Sequence, residues 1–221
     1  MGLQWDIIGE AGLQYFGKMS ASISHELKNS LAIINEQAGL LEDFSLLAEK
    51  GRPIDPERMK GLAGKIIQQV RRADGIIKNM NRFAHSVDAP VKNVDLSEFL
   101  GFVVALSARL AALRGVTLVS VTQENPVEIA TNPFILKNLL WLCLDFAMNW
   151  TGEEKNIRLT AEKAGSGARL RITQIRGLTK EATDGFPTEQ EKALLDILKA
   201  EIAAHAESGE IVITLSPSSA L

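Results

Sequence analysis

At 221 residues the chain is long enough for one large domain or two small ones, each with an adequate core. Its 46% hydrophobic and 23% charged residues exclude wholesale disorder, and a formal net charge of −3 argues against a dedicated nucleic-acid binder, which would carry a basic excess. A single cysteine, Cys143, precludes an internal disulfide framework and fits a reducing cytoplasm. No uninterrupted apolar run is long enough to span a bilayer, and Met1-Gly2-Leu3-Gln4-Trp5-Asp6 has neither a basic targeting region nor a myristoylation pattern. A soluble, cytoplasmic chain with no membrane segment is the expectation, unless it was excised from a longer protein.

The first helix is predicted from near Trp5 to about Glu49. Phe16, Met19, Ile23, Leu27, Leu31, Ile34, Ala38 and Leu41 recur every three or four residues and form one apolar stripe. Gly51-Arg52-Pro53 ends the helix, because Gly frees the backbone and Pro cannot continue it. Asp55-Pro56 starts the next helix with a capping carboxylate and a proline at its first position. That helix carries Met59, Leu62, Ile66, Val70, Ala73, Ile77, Met80 and Ala84 on one stripe and fades near Val87-Asp88. Two long amphipathic helices with a short turn make an antiparallel hairpin. Each stripe is too long for a two-helix pair to cover, so two hairpins are expected to join in a homodimeric four-helix bundle.

Ala89-Pro90 marks the predicted boundary between a hairpin over residues 1–88 and a second domain over residues 89–221. Asp95-Leu96-Ser97-Glu98 has the form of a capping box and opens a helix to about Arg114, with Gly115 as the stop. Val116 to Thr122 and Val127 to Ala130 are predicted strands. Asn132-Pro133 begins an apolar helix through about Trp150, hydrophobic on most sides and so deeply buried. Ile157 to Lys163 and Leu170 to Ile175 flank Gly165-Ser166-Gly167 as a strand hairpin. After a polar loop, Thr188-Glu189-Gln190-Glu191 caps a helix predicted to run to about Ala206, and Glu210 to Leu215 is a closing strand. The fold class is α+β.

The chemistry-bearing stretch is Ser22-Ile23-Ser24-His25-Glu26-Leu27-Lys28-Asn29. At about 100° per residue, His25 falls roughly 180° from the middle of the first apolar stripe, and Asn29 shares its face one turn on. The helix therefore buries one side and offers an imidazole to water on the other. An exposed imidazole with an acidic neighbour suits nucleophilic phosphoryl transfer, with Glu26 managing the ring proton.

This octet resembles the phospho-accepting H box of bacterial two-component histidine kinases, where the His lies on the first helix of a dimerisation and phosphotransfer hairpin. The family usually has Pro after the Asn, and here the residue is Ser30, which weakens the expected kink. The run from Ile66-Ile67-Gln68-Gln69-Val70-Arg71-Arg72-Ala73-Asp74 to Arg82-Phe83-Ala84 resembles the family's second hairpin helix. Val94 to Leu100 and Arg114-Gly115-Val116-Thr117-Leu118 loosely match the stretch that follows it. The later elements resemble the family's ATP-binding α/β sandwich, helices over a mixed sheet.

The nucleotide motifs of that domain are missing. The family places two Asn on the helix that begins here at Asn132-Pro133, one of them a Mg²⁺ ligand. In one register those positions are Leu142 and Phe146, and in the other Asn138 and Leu142, so the metal position is apolar where Mg²⁺ needs oxygen. The family's adenine-reading Asp has no counterpart in Gln174-Ile175-Arg176-Gly177-Leu178, and no glycine-rich lid follows. The domain is thus degenerate, and the chain is closest in character to dimeric histidine phosphotransferases of phosphorelays.

The resemblance implies a phosphoryl group carried on His25 between receiver-domain aspartates, without ATP-dependent autokinase activity. Glu26 would orient or deprotonate the imidazole, Asn29 would position groups at the site, and Lys28 and Ser22 would contact the phosphoryl group or the receiver. No cofactor is expected on this chain, Mg²⁺ arriving with the receiver. The alternatives are a non-catalytic adaptor that docks receivers or kinases, and a response-regulator phosphatase in which Asn29 orients water. His85 and His205 are expected at helix ends in solvent, and Cys143, Trp141, Phe146 and Trp150 in the core. Arg71, Arg72, Lys78 and Arg82 are expected on a solvated face.

Overall fold

The structure, a computed structural model, describes residues 2–122 and 126–216. The chain divides into two compact units, one of Met1–Met19 with His85–Leu221 and the other of Ser20–Ala84.

The smaller unit is a helical hairpin. Helix α1 spans Gly2–Glu49, so its first turns belong to the other unit, and α2 spans Pro56–Ala84. Asp55 caps α2 by accepting a hydrogen bond from the Glu57 amide at 3.0 Å, satisfying one of the donors that every helix start leaves orphaned. Near the turn, the Arg58 guanidinium sits 4.5 Å from the centre of the Phe44 ring, a cation–π contact joining the two helices.

The covered face of α1 differs from the predicted stripe. Met19 and Ile23 are buried as expected, but beyond them the covered side runs through Ser22, Ser30 and Gln37, with Glu26 and Ile33 half-buried. Leu31 is 53% exposed, and Phe16 and Ala38 are also exposed. Leu27, Ile34 and Leu41 of the predicted stripe are half-buried as well, so the covered face overlaps that stripe and is turned from it by roughly 60°. On α2, Leu62, Ala73 and Phe83 are buried, while Ile67, Val70, Ile77 and Met80 remain exposed. In a single chain, much of the apolar surface of both helices faces solvent.

The larger unit is a two-layer sandwich. Strand β1 (Lys92–Asp95), not anticipated from the sequence, pairs antiparallel with β3 (Glu128–Thr131). The main sheet contains β2 (Thr117–Ser120), β4 (Asn156–Ala164), β5 (Gly167–Thr173), β6 (Ala200–His205) and β7 (Glu210–Leu215), in the order β2-β4-β5-β7-β6. Among the described residues only the β2–β4 pairing of this sheet is parallel. Alternation decides the faces: Ile157, Leu159, Leu170, Ile172, Ile211 and Ile213 are buried, while Arg169, Arg171 and Thr214 point to the other side.

The helical layer holds α3 (Leu96–Leu113), α4 (Pro133–Ala147), the short α5 (Lys180–Asp184) and α6 (Glu189–Leu198). Asp95 and Asn132 cap α3 and α4 as expected, each side-chain oxygen accepting from amides of the first turn. By length and composition α3 could cross a membrane, yet it buries Leu96, Phe99, Leu100, Val103 and Leu106 within this unit. Helix α4 buries Leu136, Leu139, Leu140, Cys143 and Leu144, which places the cysteine in the core.

Two elements depart from expectation. The predicted polar loop contains α5, capped by the Thr179 hydroxyl. The last helix ends at Leu198, because Lys199 adopts a left-handed conformation (φ 50°, ψ 45°), and residues 200–205 form a strand. Ala-Glu-Ile-Ala-Ala is a good helix sequence, but antiparallel pairing with β7 overrides that weak local preference. The turn between them needs glycine: Gly209 has φ 61°, and a Cβ there would lie 2.8 Å from the Ile175 carbonyl oxygen. His205 accordingly sits on an edge strand and not at a helix end.

Candidate functional site

The H-box octet lies in mid-helix, within Ser20–Ala84. No proline or glycine interrupts it, so the i to i+4 geometry sets its faces. His25 and Asn29 are both exposed and one turn apart, with Lys28 and Ser24 exposed beside them. Among the described residues no hydrogen bond or ion pair engages His25, which leaves its ring nitrogens open to solvent.

The other predicted site residues are placed differently. Glu26 is half-buried on the covered side of α1, and no hydrogen bond joins it to the imidazole among the described residues. Ser22 is only 2% exposed and its hydroxyl has no hydrogen-bond partner, so the expected contact with a phosphoryl group or receiver does not match its position. Ser30, in the place of the family's proline, is also buried with an unpartnered hydroxyl. The structure therefore groups His25, Lys28 and Asn29 on the open side and turns Ser22 and Glu26 away from it.

In the larger unit, the α4 positions discussed above are occupied by apolar contacts. Phe146 stacks on Phe186, with ring centres 4.3 Å apart and planes inclined by 15°. Phe186 is itself buried, and the α5 segment precedes it where a glycine-rich lid would stand in the family. Leu142 faces a small cavity, and Asn138 is fully buried. Leu142 and Phe146 offer no oxygen ligand at the position where Mg²⁺ would need one. In the Gln174–Leu178 segment, Gly177 donates its amide to the Trp150 carbonyl at 2.7 Å, and a Cβ would come within 2.8 Å of that oxygen. That glycine serves a close backbone crossing, not a phosphate cradle.

The remaining histidines differ. His85 lies in a 3₁₀ turn after α2, with Nδ1 2.8 Å from the Asp88 carboxylate and both groups exposed. His205 lines a shallow groove on the open face of the sheet with Arg169, Arg171 and Glu210.

No protein-family model matches the chain. A sensor histidine kinase, ZraS of Klebsiella oxytoca, is 26% identical over 168 residues, covering 75% of this chain and 34% of that protein. The chain thus spans about a third of the length of the curated relative it matches. Solved structures with a partial likeness include the Acinetobacter baumannii histidine kinase AdeS, at 15% identity and a TM-score of 0.47, covering 88% of this chain and 98% of that one. The catalytic domain of histidine kinase ThkA gives 15% identity and 0.48, covering 59% of this chain and 100% of its own. ThkA in complex with response regulator protein TrrA gives 18% and 0.43, covering 92% of this chain and 61% of its own. Over three quarters of its length, this chain is similar in sequence to a sensor histidine kinase.

Proposed function

We propose that the chain is a cytoplasmic, homodimeric histidine phosphotransferase that passes a phosphoryl group between receiver-domain aspartates through His25, without using ATP. One contrast carries this reading. The H-box imidazole is exposed and unengaged, while the nucleotide helix of the second unit carries Leu142 and Phe146, the latter stacked on Phe186.

In the charging step an imidazole nitrogen of His25 attacks the phosphorus of an aspartyl phosphate. The P–N bond forms as the acyl P–O bond breaks, and the aspartate leaves as carboxylate. The second ring nitrogen keeps or sheds its proton to solvent, since Glu26 makes no hydrogen bond to the ring among the described residues. The discharge step reverses this on another receiver, and net flow follows supply and drainage. Lys28, exposed beside His25, supplies a cation for the phosphoryl oxygens. Mg²⁺ is expected to arrive with the receiver.

The direct test incubates the chain with one phosphorylated receiver and one empty receiver. Wild type should show acid-labile label on itself and pass label onward. His25→Ala should do neither, and Asn29→Ala should reduce transfer modestly. Label transfer that survives His25→Ala would overturn the proposal and favour the adaptor. A second reading rests on Asn29, exposed one turn from His25 and able to orient water. It requires phosphate release from a single receiver that persists in His25→Ala and falls in Asn29→Ala. A Mg-ATP titration by calorimetry should give no heat at millimolar nucleotide, whereas micromolar affinity would restore the autokinase reading.

A further inference from the structure

At one end of the larger unit, the start of α1, the β1–β3 pair, the end of α6 and the end of β7 leave a cavity of about 300 Å³ between them. Ile129 and Leu215, both buried, and Ile197 and Leu198, both half-buried, give it apolar walls. Trp5 and Val91 also line it, and they are 63% and 56% exposed. Large apolar side chains left in water around an apolar hollow mark a surface that gains from a ligand. The volume is at the small end of the range for ligand sites, roughly 300–1,000 Å³.

Charge on this lining is of one sign. Among the described residues that line the cavity, Lys199 is the one ionised side chain, and no hydrogen bond or ion pair engages its ammonium. Its place is set by the backbone, since Lys199 closes α6 with its amide donating to the Asp196 carbonyl at 3.3 Å. Asn132 adds a second donor. Its Oδ1 accepts from the Phe134 and Ile135 amides at 3.1 and 3.0 Å as the cap of α4, so its acceptor is occupied. The Nδ2 hydrogens have no such partner among the described residues. The walls therefore offer a free cation and a free amide donor, with no carboxylate to oppose an anion. The groove on the open sheet face is different, because Arg169 and Arg171 already pair there with Glu162 and Glu210.

We propose that this cavity binds a medium-chain monocarboxylate. Its carboxylate would meet Lys199 Nζ and the Asn132 amide, and its apolar chain would lie along Ile197, Leu198 and Leu215 beside Trp5. A neutral apolar molecule leaves the ammonium without a partner, and an amine meets it with like charge. A phosphate dianion brings more charge than one ammonium balances. The proposal is independent of the phosphotransfer reading, because the cavity lies wholly within the larger unit and binding is measured with no receiver present.

The test titrates the full chain with straight-chain carboxylates from butyrate to decanoate, with octanamide and octylamine as the neutral and cationic counterparts of octanoate. Calorimetry and tryptophan fluorescence read binding, and Trp5→Phe separates the Trp5 signal from those of Trp141 and Trp150. Octanoate should bind saturably and change the Trp5 emission. Each added methylene should tighten binding about fourfold until the cavity is full. Octanamide should bind about tenfold more weakly, and octylamine should not bind. Lys199→Met should weaken octanoate about tenfold and leave octanamide unchanged, with circular dichroism reporting the fold. Sedimentation is run with and without octanoate, and an assembly that octanoate dissociates would assign the cavity to a second copy and overturn the proposal. No saturable binding of octanoate, equal binding of octylamine, or unchanged octanoate affinity in Lys199→Met would each overturn it as well.

Discussion

The two units differ in how far each satisfies its own side chains. In the sheet unit, alternate residues of β4, β5 and β7 disappear completely beneath α3, α4 and α6, and the open face is ordered by ion pairs such as Glu162 with Arg169 and Arg171. In the hairpin unit the pattern is inverted in places. Leu31, Ile67, Val70, Ile77 and Met80 face solvent, while Ser22, Ser30, Gln37 and Gln69 hold buried polar atoms without partners. The sheet unit shuts in unpartnered polar atoms too, at Ser97 and Asn138, so the contrast lies in the apolar surface that the hairpin leaves out and that the proposed homodimer would cover. The sheet unit is expected to report core mutations as stability, and the hairpin to report them as association.

The largest effect should come from breaking the sheet core. Ile172, fully buried on the central strand β5, should cost about 2–5 kcal/mol when changed to alanine, because a cavity adds to the lost transfer energy. Denaturant unfolding followed by circular dichroism measures it, and light scattering should show the assembly unchanged.

On the hairpin, Val70→Glu puts a charge into the exposed stripe of α2. If that stripe seals a dimer, the burial cost of a few kcal/mol should drive the protein to monomer. Sedimentation at micromolar concentration decides the point, and a wild-type monomer would break the comparison itself.

Gly177→Ala should destabilise the sheet unit by about 1–3 kcal/mol, since the new methyl meets the Trp150 carbonyl oxygen and backbone must move to admit it. Ser30→Ala should do the opposite in the hairpin. Removing a buried hydroxyl that has no partner is expected to stabilise by about 1 kcal/mol, provided no water enters. A loss of stability in Ser30→Ala would show that a partner is supplied in the assembled protein.

The smallest effect is electrostatic. Partial burial pushes the Glu162 carboxyl up, but hydrogen bonds and charges from Arg171 and Arg169 outweigh it and hold it below the usual carboxylate range. A depressed pKa gives stability that is present above the unfolded value and lost as pH falls through the folded one. Acid titration of unfolding should therefore find Glu162→Gln slightly less stable than wild type near neutrality, with the difference fading in acid. The group is largely exposed, so salt should shrink the difference further.

Much of this molecule was legible residue by residue. Periods of three and four marked α1 and α2, Asp55, Asp95 and Asn132 announced helix starts that the structure caps as expected, and Gly165-Ser166 marked the β4–β5 turn. The exposure of His25 and Asn29 followed from helical angle alone. These are short-range properties, written in hydrogen-bond geometry and side-chain spacing that act within a few residues. Three matters were decided only in three dimensions. A stretch of Ala, Glu and Ile became the strand β6, because pairing with β7 outweighs a helix preference worth only tenths of a kcal/mol per residue. The leading turns of α1 joined the sheet unit, because α4 presents Phe134 and Trp141 to Tyr15 and Lys18. The covered face of α1 fell on Ser22, Ser30 and Gln37 in place of Leu31 and Ala38. A helical stripe says which side prefers to be buried, but burial is decided by what stands opposite, and sequence spacing contains no term for that.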